Sequence, residues 1–140
     1  MPEEHAVVIP RSAWERMAQH PQAEAPREAV GLLGGASRGV VEQVCPLPNI
    51  AGPLAFFADP YAQFRAEKRF RASKSIVVGY YHSHPGGGLD LSDSDRLFAR
   101  RQDWLYLLLV TDFHGEQPVS GAAFRFLDGD LKEVPLIVKG

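Results

Sequence analysis

The run Ser75-Ile-Val-Val-Gly-Tyr-Tyr-His-Ser-His84 constrains this chain more than any other stretch. It is rich in β-branched and aromatic residues, which favour a strand, and Pro85-Gly-Gly-Gly88 breaks it. Trp104 to Thr111 reads as a second buried strand. Around these two, Ala6 to Ile9 reads as a first strand stopped by Pro10. Ser12 and Glu15 have the spacing of a capping box, so a helix is predicted from Ser12 to His20, with a loop over Pro21 to Pro26. Glu28 to Gly35 and Val40 to Val44 read as partner strands around the Ser37-Arg-Gly39 turn. Pro46 to Pro53 reads as irregular and Leu54 to Phe57 as a short strand. Asp59 can cap a helix that begins at Pro60 and runs to Ala72. Ser92 or Asp93 can cap another that runs to Arg101. Val119 to Phe126 and Leu131 to Val138 read as a closing hairpin around Asp128-Gly129. Strands and helices alternate early and strands cluster late. The predicted class is α/β, a mixed β-sheet flanked by two or three helices.

Size and charge narrow the function. A chain of 140 residues suits one domain, residues 1–140. With 45% hydrophobic and 23% charged residues it is a globular sequence rather than a disordered or fibrous one. The longest apolar run, Trp104 to Val110, is far short of a membrane span. The N-terminus, Met1-Pro-Glu-Glu-His5, lacks the basic start of a secretory signal, so a cytoplasmic protein with no membrane partner is expected. The net charge of -2 argues against a nucleic-acid partner. The basic cluster Lys68-Arg-Phe-Arg71 with Lys74 reads as a solvated helix face. Cys45 is the single cysteine, which excludes an internal disulfide and a Cys-rich zinc site.

The chemistry gathers around His82-Ser-His84. Residues two apart on a strand point to one face, so both imidazoles can reach one ion. Pro85 ends the strand there and leaves the pair open to solvent. Asp95 falls in the first turn of the following helix and can swing a carboxylate toward the same point. Two imidazoles and one carboxylate leave a fourth tetrahedral position for water, the pattern of a catalytic zinc site. Hydrolysis also needs a proton carrier, and Glu28, at the start of a glycine-rich buried strand, is the candidate. The Ser92 hydroxyl can donate to a developing oxyanion. Each residue alone has a plainer reading. The histidines can be two strand residues, Asp95 a solvated first-turn acid, Glu28 an ion-pair partner of Arg27, and Ser92 a helix cap. The metal reading rests on their co-occurrence.

At this point the chain resembles the JAMM (MPN+) metalloproteases. Their signature is an upstream glutamate, then His-x-His-Pro, six residues, Ser, two residues and Asp. Glu28, His82-Ser-His84-Pro85, Ser92 and Asp95 match it without a gap. Glu28-x-x-Gly-Leu-Leu33, Pro48-Asn49 and Phe57-x-Asp-Pro60 are similar to the family too. The resemblance implies an MPN, cytidine-deaminase-like fold. It implies one zinc ion per chain on His82, His84 and Asp95; this sequence adds an acidic pair, Asp90 and Asp93, either of which can compete with Asp95 as the carboxylate ligand. Glu28 would be the general acid/base and Ser92 the group that stabilises the tetrahedral intermediate. It further implies cleavage of a peptide or isopeptide bond after the C-terminal Gly-Gly of a ubiquitin-like partner, here a sulfur-carrier protein. The groove for that tail is expected near Phe56-Phe57 and the Gly86 loop. Two alternatives are a non-catalytic MPN scaffold and a RadC-like protein associated with DNA repair. A third is a structural zinc site, which is normally closed by four protein ligands.

Overall fold

The structure is a computed structural model and describes residues 5–51, 58–88, 104–112, 114–116 and 118–140. Its elements are β1 (Val7–Pro10), α1 (Arg11–Glu24), β2 (Val30–Gly35), β3 (Gln43–Leu47), α2 (Pro60–Ala72), β4 (Ile76–Pro85), β5 (Leu105–Thr111), β6 (Ser120–Leu127), β7 (Asp130–Val134) and β8 (Leu136–Lys139). A six-stranded sheet runs in the order β3-β2-β4-β5-β6-β7, and β1 pairs with β8 in a separate two-stranded sheet. The large sheet is mixed: β2 is antiparallel to β4, and β4 is parallel to β5. This is the predicted α/β architecture. The predicted strand at Leu54 to Phe57 and the predicted helix from Ser92 to Arg101 lie outside the described residues.

Each face of the sheet carries its own core. On one, Val30, Leu32, Tyr80, Tyr106 and Leu108 pack with Ala66 and Phe70 of α2. On the other, Leu33, Tyr81, Leu107 and Leu109 pack with Ala13 and Met17 of α1. β4 supplies both through strand alternation. The alternation is reset by a bulge: Leu33 pairs with Gly79 but Gly34 pairs with Val77, so Val78 is the extra residue. Beyond it, Tyr80, His82 and His84 share the α2 face, and Tyr81 and Ser83 share the α1 face.

α2 begins as predicted. Asp59 Oδ1 accepts from the Tyr61 N–H at 2.9 Å, and Pro60 takes the first helical position. It ends in a Schellman turn, with Ser75 N–H donating to Phe70 C=O at 2.8 Å and Lys74 at a φ of 62° where glycine is usual.

Four expectations change. Ser12 does not cap α1: β1 runs directly into the helix, Pro10 is the N-cap, and no side chain bonds there. α1 also continues through Pro21 to Glu24 instead of ending at His20. Ala13, Met17 and Pro21 form one buried stripe, and that burial outweighs the hydrogen bond that proline forfeits. Val40 and Val41 do not join β3. They are taken by β1, with Val8 N–H donating to Gly39 C=O and Val41 N–H to Val8 C=O. β3 therefore starts at Gln43 and includes Pro46, which an edge strand tolerates. The closing hairpin holds from β6 to β7, turning on Asp128 and Gly129 at φ values of 54° and 79°. Past Pro135 the chain leaves it, and β8 pairs parallel with β1.

Candidate metal centre

The site lies where β2 begins and β4 ends. Val30 pairs with His82. Continuing that antiparallel register sets Ala29 opposite Ser83 and Glu28 opposite His84. Glu28 is two residues from Val30 and so falls on the same face as both histidines. The geometry agrees: ligand atoms of Glu28, His82 and His84 all lie within 4.8 Å of one another. The imidazole centroids are 5.2 Å apart, with the rings inclined at 62°.

The three side chains differ in exposure. Glu28 and His82 are buried and His84 is half-buried, so the cluster opens toward the end of β4. The His84 Nδ1 lies 3.2 Å from the Gly88 carbonyl. A carbonyl only accepts, so Nδ1 carries the proton in this contact, which makes Nε2 the ring nitrogen that can act as a metal ligand. That turn is held by Gly87 N–H donating to His84 C=O at 3.1 Å and Gly86 N–H to Thr111 C=O at 2.6 Å. Two nitrogen donors and a carboxylate suit a borderline divalent cation such as zinc. The residues present therefore fit the metal the motif implies.

The backbone around Glu28 is tied down by side chains. The Ser83 hydroxyl accepts from the Ala29 N–H at 2.7 Å, and the Ser83 N–H donates to the Ala29 carbonyl at 3.0 Å. Asn49 Nδ2 donates to the Glu28 carbonyl at 2.8 Å, while Asn49 Oδ1 accepts from the Ala51 N–H at 3.0 Å. Arg27, weighed from the sequence as a partner for Glu28, donates from Nη2 to the carbonyls of Asn49 and Ala51, each at 3.0 Å. Sequence reasoning assigned no role to Ser83 or Asn49. A small hydroxyl between two histidines of a buried strand, and an asparagine after proline, were the signals available.

Ser92 and Asp95 lie outside the described residues, as does the apolar wall expected at Phe56-Phe57. The structure thus brings together three of the five residues singled out from the sequence.

A mixed sheet with helices on both faces and a Glu-His-His cluster at a strand end defines the class of protein. Residues 10–126 match the family described as prokaryotic homologs of the JAB domain, and the chain belongs to that family. A Thermus thermophilus protein named "Probable TtuB-protein conjugate cleaving protease" is 43% identical over 108 residues, covering 74% of this chain and 70% of that one. The solution structure of protein DSY2949 from Desulfitobacterium hafniense superposes with a TM-score of 0.81 at 30% identity, covering 95% of this chain and 92% of the other. AF2198, a JAB1/MPN domain protein from Archaeoglobus fulgidus, has a TM-score of 0.63 at 20% identity, covering 95% and 97%. A Salinibacter ruber protein has a TM-score of 0.69 at 19% identity, covering 96% and 91%. The last two speak for the fold alone.

Proposed function

We propose that this chain is a zinc-dependent peptidase or isopeptidase that cleaves after the C-terminal Gly-Gly of a ubiquitin-like sulfur-carrier protein. The observation that carries the reading is the convergence of Glu28, His82 and His84 within 4.8 Å at the open end of β4. Its context is a JAB family domain whose 43%-identical relative is named for cleaving protein conjugates. His82 and His84 would hold the ion together with Asp95, one ion per chain. A bound zinc supplies Lewis acidity and lowers the pKa of a water to near 7. Glu28 accepts a proton from the attacking water and returns it to the leaving amine. Ser92 donates a hydrogen bond to the oxyanion. An extended Gly-Gly tail fits such chemistry because glycine lets a backbone approach the reacting centre closely.

The test is a cleavage assay with sulfur-carrier proteins of the same genome, extended beyond Gly-Gly by a peptide, by a single amino acid or by a lysine-linked protein. Release of the extension that stops with a chelator and resumes with zinc is the expected result. Cleavage indifferent to chelation, or no release from any of the three substrates, contradicts the reading.

A further inference from the structure

The peptide unit that follows Glu28 is held at both ends by side chains. In an antiparallel ladder a hydrogen-bonded pair of residues exchanges two N–H···O=C bonds. Ala29 and Ser83 stand opposite each other, one step past the last registered pair, Val30 and His82. Half of their exchange is ordinary: Ser83 N–H donates to the Ala29 carbonyl at 3.0 Å. The other half is replaced, because the Ala29 N–H donates to the Ser83 hydroxyl at 2.7 Å. The carbonyl of that same peptide unit belongs to Glu28 and accepts from Asn49 Nδ2 at 2.8 Å. Ser83 and Ala29 are sealed from solvent, both at 0% exposure, so water cannot substitute for the hydroxyl.

We propose that Ser83 is a positioning residue for the Glu28 carboxylate. It acts through the orientation of the Glu28–Ala29 peptide plane, with Asn49 holding the opposite end. Holding that plane restricts the rotation open to Glu28 and so the direction in which its side chain leaves the backbone. The alternation of β4 gives Ser83 its reach: His82 and His84 point into the candidate metal centre, and the residue between them faces away and grips the neighbouring strand. A side-chain acceptor keeps the Ala29 N–H paired one step past the last registered pair of β2 and β4. Glu28, His82 and His84 meet beside that step. A small misplacement of a reacting group can cost about 10²-fold in rate. The proposal rests on the reading of Glu28 as proton carrier.

The experiment compares kcat and KM of the zinc-loaded wild type, Ser83→Ala and Ser83→Thr. Each is made in the native and the Glu28→Gln background, and amide exchange at Ala29 and zinc content are read alongside. Ser83→Ala is expected to lower kcat by ~10–100-fold with KM within ~2-fold. Zinc content should be unchanged, and exchange at the Ala29 amide faster. Ser83→Thr, which keeps the hydroxyl, should return kcat to within ~3-fold of wild type. In the Glu28→Gln background, Ser83→Ala should cost less than ~2-fold more, because the group it aims is already gone. An equal loss in both backgrounds, an unchanged kcat, or a threonine variant as slow as alanine overturns the proposal. Should Ser83→Ala fail to fold, Asn49→Ala carries the same comparison from the other end of the peptide. A wild type that cleaves nothing defeats the functional reading. A wild type that cleaves, with Ser83→Ala matching it, defeats this inference alone.

Discussion

Tyr80 and Tyr81 are neighbours on β4 and reach opposite helices. The Tyr80 hydroxyl donates to Gln63 Oε1 of α2 at 2.6 Å. The Tyr81 hydroxyl meets His20 Nδ1 of α1 at 2.7 Å, the rings edge to face at 5.8 Å. Burial pushes the Tyr80 hydroxyl up to about 12, with Glu67 and Tyr106 adding to it, and raises Tyr81 well above the ordinary phenol range. Both therefore remain O–H donors near neutral pH, and His20 accepts as a neutral ring. Burial lowers the His20 pKa, against the opposing pull of Glu24, whose carboxylate lies 3.8 Å from Nε2. Beyond these latches the two faces diverge. On the Tyr80 side the strand continues into His82 and then half-buried His84. On the Tyr81 side it continues into Ser83, which is sealed. On the proposed function, one strand thus carries a reactive face and a locked face. Past the tyrosines, substitution of Glu28 should move chemistry more than stability, and substitutions on the locked face should do the reverse. Ser83 is the one locked residue predicted to reach across.

The largest effect expected belongs to the reactive face. Glu28→Gln should lower turnover by ~10²–10⁴-fold, the worth of a positioned proton carrier, while the melting temperature stays near that of wild type. Full activity in this variant, measured on a Gly-Gly extended carrier, would remove Glu28 from the mechanism.

Gly31→Ala attacks the locked face. Gly31 pairs directly with Tyr81, and a Cβ there would lie 2.1 Å from the Tyr81 ring. The ring is fully buried and cannot retreat, so we expect a loss of ~1–3 kcal/mol in chemical denaturation with metal binding retained. Loss of the metal at unchanged stability would break the division between faces.

The two latches sharpen the comparison. Tyr81→Phe strands His20 Nδ1 in the more enclosed site and should cost ~1–3 kcal/mol. Tyr80→Phe leaves only the half-buried Gln63 without that donor and should cost ~0.5–1.5 kcal/mol. The reverse ranking by denaturation would mean that the α2 face is the better sealed.

The smallest effect is in the pH dependence. The folded-state pKa of His20 lies below its unfolded value of about 6.5, so the unfolded chain takes up the proton first. Its contribution to stability is whole above pH ~6.5 and is lost as pH falls toward the folded pKa. His20→Asn keeps an acceptor for Tyr81 and removes the titration, so stability should fall less between pH 7 and 5 than in wild type. An identical slope in both chains would contradict this.

Much of this was legible in the sequence, for local reasons. β4 announces itself by composition, and α2 by Asp59 and Pro60 at its start. The histidine pair follows from strand alternation alone. Where reading failed, a non-local partner decided. Val40 and Val41 carry the pattern of a strand but bond to β1, and Leu136–Lys139 resembles the end of a hairpin but bonds to β1 as well. Ser12 has the spacing of a cap, yet a strand leads into the helix with no residue between. In the site, Glu28 was visible as a buried acid. The grip of Ser83 on Ala29 was not, because it depends on which residues face each other across β2 and β4.

The central claim is that Glu28, His82 and His84 belong to one metal centre in which the imidazoles bind the ion and the carboxylate serves the reaction. Zinc titration by calorimetry, with metal analysis of the purified chains, tests it most directly. One ion per chain is expected in wild type and in Glu28→Gln, and none retained by His82→Ala or His84→Ala. Equal zinc binding by the histidine variants, or none by wild type, contradicts it.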